Sequence, residues 1–130
     1  MRTRIVGVGV AVLAAVGAVL CPPGQAWAGD SDCYADTSTQ RVDEVTTTDA
    51  GAVLRLYYVP NSKCAYGTVT GRAGSEIWAD RQSPYQGFLD YRVVGDSGYT
   101  GTGMWSDDGK QVRICGTSGK GNTISCTRWY

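Results

Sequence analysis

Two hydrophobic patterns divide the chain. From Ile5 to Leu20 sixteen uncharged residues, rich in Val, Ala and Gly, follow one another without a polar break. Beyond Gly29 apolar residues come in short runs or strict alternation, separated by Gly, Asn, Asp, Ser and Pro. Arg2 and Arg4 precede the first run, Cys21-Pro22-Pro23-Gly24 breaks it, and Ala26-Trp27-Ala28 supplies a small–any–small cleavage pattern. The run is shorter than the roughly 20 residues that span a bilayer. Residues 1–28 therefore read as a secretory signal cleaved after Ala28, which implies a secreted, extracellular protein without a membrane segment once processed. Cys21 follows Leu20 rather than the small residue that lipid attachment needs, so it falls in the discarded segment.

The rest predicts strands. Ala52–Val59 is the strongest, then Ala65–Thr70 and Ser75–Asp80. In Phe88–Val94, Leu89, Tyr91 and Val93 alternate with Asp90 and Arg92, which predicts one buried and one solvated face. Tyr99–Ser106 is expected to be broken at Gly101 and Gly103, and Gln111–Cys115 and Thr123–Trp129 form a last pair. Turn signals recur about every 8–12 residues, as in an all-β sandwich or barrel. Gly29–Ala50 is polar and Thr-rich and reads as an extended or weakly ordered arm before a single β domain over 51–130. The fold expected is a small, disulfide-stapled antiparallel sandwich or barrel carrying that arm.

Cleavage leaves four cysteines, Cys33, Cys64, Cys115 and Cys126, an even set suited to an oxidising compartment. Three pairings are open. Cys33–Cys64 with Cys115–Cys126 is preferred: the second pair closes the turn between the last two strands, and the first pins the arm. No Cys-x-x-Cys spacing supports zinc.

Charge is unevenly placed. Gly29–Ala50 carries Asp30, Asp32, Asp36, Asp43, Glu44 and Asp49 against Arg41, a net of −5; Gly51–Tyr130 carries nine basic and six acidic residues, a net of +3. An acidic arm thus precedes a mildly basic body, either as a solvated leader or as an electrostatic tether. No basic cluster points to nucleic acid.

Histidine is absent, which removes the usual triads and the commonest proton carrier near neutral pH. A serine–lysine dyad could draw only on Lys63, Lys110 and Lys120, all beside turns. Glu76 and Asp80 share a predicted strand face, but their Cα atoms would lie roughly 13 Å apart, too far for a glycosidase pair, and they read as two solvated acids. Asp107-Asp108-Gly109 reads as a turn rather than a calcium loop. No cofactor or metal is implied. Tyr58, Trp105 and Trp129 are the candidate aromatic anchors.

Leu54-Arg55-Leu56-Tyr57-Tyr58 leading to Cys64, with Thr102-Gly103-Met104, Val112-Arg113-Ile114-Cys115-Gly116 and Cys126-Thr127-Arg128-Trp129, resembles the YjfA-like family of small secreted bacterial proteins of unknown function. The likeness covers most of Ala52–Tyr130 and departs at Tyr66, where the family has tryptophan nearby. It implies a fold and no active site. In size, cysteine use and charge layout the chain is also similar to adaptor subunits of secreted umbrella-shaped antibacterial toxin particles, which dock on larger subunits through an extended N-terminal arm.

The function expected is a non-enzymatic module that binds a larger secreted protein, steered by Asp30, Asp32 and Asp36 and anchored by Tyr58, Trp105 and Trp129. The alternatives are an inhibitor of secreted hydrolases, presenting Arg81–Pro84 or Pro60–Lys63, and a cell-wall or carbohydrate-binding module.

Overall fold

The computed structural model describes residues 29–130; the export signal expected over 1–28, with Cys21, lies outside the described residues. The described chain is all β. Its strands are β1 (Gln40–Thr46), β2 (Ala52–Val59), β3 (Cys64–Gly71), β4 (Glu76–Gln82), β5 (Gln86–Val93), β6 (Tyr99–Gly101), β7 (Trp105–Ser106), β8 (Gln111–Thr117) and β9 (Ser125–Cys126). Two antiparallel sheets form. One runs β1-β2-β3, with β6 and β7 both on the far edge of β3; the other runs β5-β4-β8-β9.

Alternation explains which side chains fill the space between the sheets. Leu54 and Leu56 of β2 and Ala65 and Val69 of β3 meet Ile77 and Ala79 of β4 and Val112 and Ile114 of β8, all at most 2% exposed. The sheets approach closely where β3 has no side chain. A Cβ on Gly67 would lie 2.3 Å from Cγ1 of Ile114, so the glycine leaves the space that the isoleucine fills.

A second cluster lies on the outer face of the first sheet. Val59, Cys64, Tyr66 and Met104 are buried there, with Cys33 and Tyr57 packed against them. The segment before β1 covers this face. Gly29 bridges to Met104, the Asp30 amide donates to the Met104 carbonyl at 2.8 Å, and Cys33 is bonded to Cys64. Cys115 is bonded to Cys126 across β8 and β9, so both preferred pairings form. Two such bridges suit an oxidising compartment.

Strand limits follow the predicted ones closely for β2, β3, β4 and β8. The expected break in Tyr99–Ser106 is also present. β6 and β7 are two pieces of one edge, interrupted where buried Thr102 accepts the Gly67 amide on its own hydroxyl at 3.0 Å. Three elements differ. The last strand, expected over Thr123–Trp129, is reduced to β9 at Ser125–Cys126. β1 arises within the segment read as extended or weakly ordered: its polar residues are mostly exposed, while Val42 packs on the core and a bulge separates Arg41 from Asp43.

β5 reverses the expected faces. Against β4 it carries an extra residue between Gln86 and Leu89 and another between Leu89 and Arg92, and Phe88 and Asp90 take positive φ at these places. Leu89 still packs on the core. Tyr91 and Val93 then point outward at 45% and 51% exposure, while Asp90 and Arg92 pair in the partly buried layer at 3.0 Å.

The Gly67→Ala variant is expected to lose about 1–3 kcal/mol, because Ile114 must leave its rotamer. Urea unfolding checks this. The G67A/I114A pair should cost less than the two single changes added together, since the shorter side chain vacates the contested space.

Candidate functional site

Of the seven large hydrophobic side chains exposed among the described residues, five, Tyr85, Phe88, Tyr91, Val93 and Ile124, belong to the second sheet and its flanking turns. Trp78 points outward from the middle of β4. Phe88 stacks on it at 4.6 Å between ring centroids and Tyr91 at 6.2 Å, which leaves Trp78 only 4% exposed. Tyr85 and Phe88, each 62% exposed, and Ile124, at 55%, rim a shallow hollow of about 150 Å³ over Trp78 and the Cys115–Cys126 bridge.

Polar side chains brace this face. The Asp80 carboxylate, 3% exposed, takes the Arg113 guanidinium at 3.0 Å and the Phe88 amide at 3.3 Å, so one acid fixes both β8 and the bulge of β5. Arg113 in turn lies 4.5 Å from the ring centroid of Trp129. Glu76 accepts the hydroxyls of Tyr91 and of Thr117; the Tyr91 bond, with that from Thr117, holds its carboxyl below the ordinary range.

The expected site residues are scattered around the molecule. Asp30 turns inward: it takes Arg81 at 2.8 Å and the Ser106 amide at 2.8 Å. Asp36 is held by Ser38 and Asn61, bonds that lower its carboxyl. Asp32 is exposed. Trp105 is partly buried against the core with Arg81 5.4 Å from its ring centroid, and its indole N–H has no partner among the described residues. Tyr58 and Trp129 border the same cleft without stacking: Tyr58 meets Tyr130 at 5.0 Å between ring centroids, and Trp129 lies on Arg113. This open cleft of about 580 Å³ is lined also by Asp107, Lys110, Arg128 and Tyr130; Asp30 is not part of that lining, although its carboxylate holds the amide of Ser106, the residue before Asp107. Burial pushes the Asp107 carboxyl up to about 6, with Asp108 adding to the shift, and burial together with Asp107 raises the Tyr58 phenol.

The other candidates resolve locally. Asp107-Asp108-Gly109 is a turn closed by Lys110 N–H on the Asp107 carbonyl at 3.0 Å, with Gly109 at φ 70°. Glu76 and Asp80 are not two solvated acids: Asp80 is buried in its ion pair. In the Arg81–Pro84 loop, Arg81 is occupied by Asp30 and Gln86, and in the Pro60–Lys63 turn Asn61 is occupied by Asp36. Sequence reasoning passed over Tyr85, Phe88, Tyr91 and Ile124. The signal available was the chain's single phenylalanine two residues before an Asp-Tyr-Arg segment, which reads as alternation until the bulges are known.

The chain matches no family model, no curated protein and no solved structure.

Asp80→Ala is expected to cost about 2–4 kcal/mol, because Arg113 is left without its partner in a partly buried position and the Phe88 amide loses its acceptor. The near-ultraviolet signal of Trp78 should change with it, and chemical denaturation followed by circular dichroism checks both. A second expectation concerns pH. The folded pKa of Asp107 lies above its unfolded value, so the folded state holds the extra proton and this group's contribution to stability falls as pH rises from about 4 to about 6. Asp107→Asn should remove that slope: relative to the variant, the parent protein gains melting temperature as pH is lowered through 6 to 4, and the difference is flat above 7.

Proposed function

We propose that this chain is a secreted, non-enzymatic module that binds a larger secreted protein through the outer face of its second sheet. The observation that supports this best is the group of exposed aromatic and aliphatic side chains Tyr85, Phe88, Tyr91, Val93 and Ile124 around Trp78. Contiguous apolar patches on a small chain mark contact surfaces, and rigid aromatic rings are the side chains that carry most binding energy. The Cys115–Cys126 bridge and the Asp80–Arg113 pair hold the patch in place, so little conformational entropy is lost when a partner covers it.

A non-enzymatic role is favoured because histidine is missing and the carboxylates of Glu76 and Asp80 are engaged in internal bonds. Within this reading, the finer form is an adaptor subunit of an extracellular antibacterial toxin complex, as the similarity in size and charge layout implies. The arm then serves mainly the chain's own body through Asp30 and Asp36, and exposed Asp32 is the acid left to steer a partner.

The F88S/Y91S variant tests the reading. Mature protein tagged at its C-terminus is used to capture partners from the producer's culture supernatant, beside the unaltered protein. One large secreted protein held by the parent and weakened about tenfold or more by the two changes is the expected result. Equal capture by both proteins, with their melting temperatures alike, overturns it.

A further inference from the structure

The cleft around Tyr58 and Tyr130 differs in chemistry from the aromatic face of the second sheet, with which it is in contact only through Trp129 and Arg113. Its floor comes from the inward-turned Tyr58 near the end of β2, its walls from the turn before β8 and from the final residues Arg128–Tyr130. The last segment is held in place by a ladder in which Val112 and Tyr130 exchange both amide–carbonyl bonds, at 2.9 and 3.0 Å. Tyr58 and Tyr130 meet at 5.0 Å with their rings inclined by 55°, so they form a corner rather than a flat stack. Trp129 borders the cleft through its place in the chain, but its neighbour Tyr130 pairs with Val112 and faces the core, so the Trp129 indole turns the other way, onto Arg113 on the outer face of the second sheet.

The polar groups are of both kinds. Asp107 is a half-buried acceptor, and among the described residues no other side chain donates to its carboxylate. Lys110 is a donor; Arg128 is a donor that spends one N–H on the Val42 carbonyl at 3.0 Å, and Gln111, whose amide oxygen accepts from Gln82, has its amide N–H groups to offer. Aromatic rings set at a corner, with acceptors and donors side by side, suit a ligand that presents C–H faces and hydroxyl groups together. A pyranose ring does this: each hydroxyl donates to a carboxylate while it accepts from a cation. An apolar side chain of a protein partner would leave Asp107 and Lys110 unsatisfied under its cover, which is costly. The volume of about 580 Å³ lies within the range of small-ligand sites, and its open mouth admits a residue within a chain.

We infer that this cleft is a saccharide-binding site, with Tyr58 and Tyr130 against the sugar ring and Asp107 accepting from a ring hydroxyl. Lys110 and Arg128 extend the site toward acidic sugars. The site contains none of Tyr85, Phe88, Tyr91 or Ile124, so changes at Phe88 and Tyr91 test the protein-docking face without removing a residue of the cleft.

The test is titration of the mature protein with the tetramers of N-acetylglucosamine and of galacturonic acid, read by tryptophan fluorescence and by amide chemical shifts. Saturable binding of either tetramer, with shifts confined to Tyr58, Asp107 and Arg128–Tyr130, is expected. Asp107→Ala should weaken it about tenfold, the effect of losing one charged hydrogen bond, and Tyr58→Ala by at least as much. Asp107→Ala keeps the test sound, since removing a carboxylate that burial already disfavours does not unfold the protein; its melting curve verifies this. F88S/Y91S should bind the sugar as the parent does. No response to either tetramer at millimolar concentration, or binding that both cleft variants leave unchanged, overturns the inference.

Discussion

β3 is covered on both faces, and the rest of the molecule is arranged around that requirement. Its inward residues Ala65 and Val69 face the second sheet; its outward residues Cys64, Tyr66 and Thr68 are equally buried. A strand of a two-sheet sandwich ordinarily shows one side to water. Here the second cover comes from the N-terminal segment, through the Cys33–Cys64 bridge and the contact of Gly29 with Met104. A chain of this size buries a limited apolar area in one layer, and a second small cluster adds to it.

This arrangement explains where the arm's charge goes. The acidic segment meets a body with an excess of cations, and the two neutralise each other within the molecule. Asp30 meets Arg81, Glu44 meets Arg55, and Asp49 binds Arg72 and the Ser118 hydroxyl. Asp43 accepts the amide of Arg128 at 2.8 Å. Several of these groups are exposed and individually contribute little. Asp30 and Arg81 are better shielded, at 35% and 11% side-chain exposure, and they join the arm to the second sheet.

Much of the fold was legible in the sequence because β2, β3, β4 and β8 are dense in β-branched and aromatic residues and are bounded by turn residues. β1 was not, because an edge strand with one covered side needs few apolar residues, and Val42 and Val45 among charges resemble a loop. β5 misled for a different reason. Period-two reasoning assumes a regular ladder, and two extra residues reset the phase on either side of Leu89. The exposed aromatic face follows from that reset, so it was hidden for the same cause. Of the expected anchors, Tyr58 and Trp129 border one cleft, because β8 pairs with the final segment beside β2, but the ring that Tyr58 meets is Tyr130. Trp105 does not join them: β7 lies on the edge of β3, beneath Arg81.

The Cys33–Cys64 bond also gives the molecule a mechanical short circuit. Tension applied ahead of Cys33 passes through sulfur directly to the start of β3 and bypasses everything between, including β1 and β2. Those strands lie inside a covalent loop that carries no load, and the force enters at the strand buried on both faces. A pull toward the N-terminal side can therefore peel away Gly29 and Asp30, but it cannot unzip the first sheet from its β1 edge while the bridge is intact.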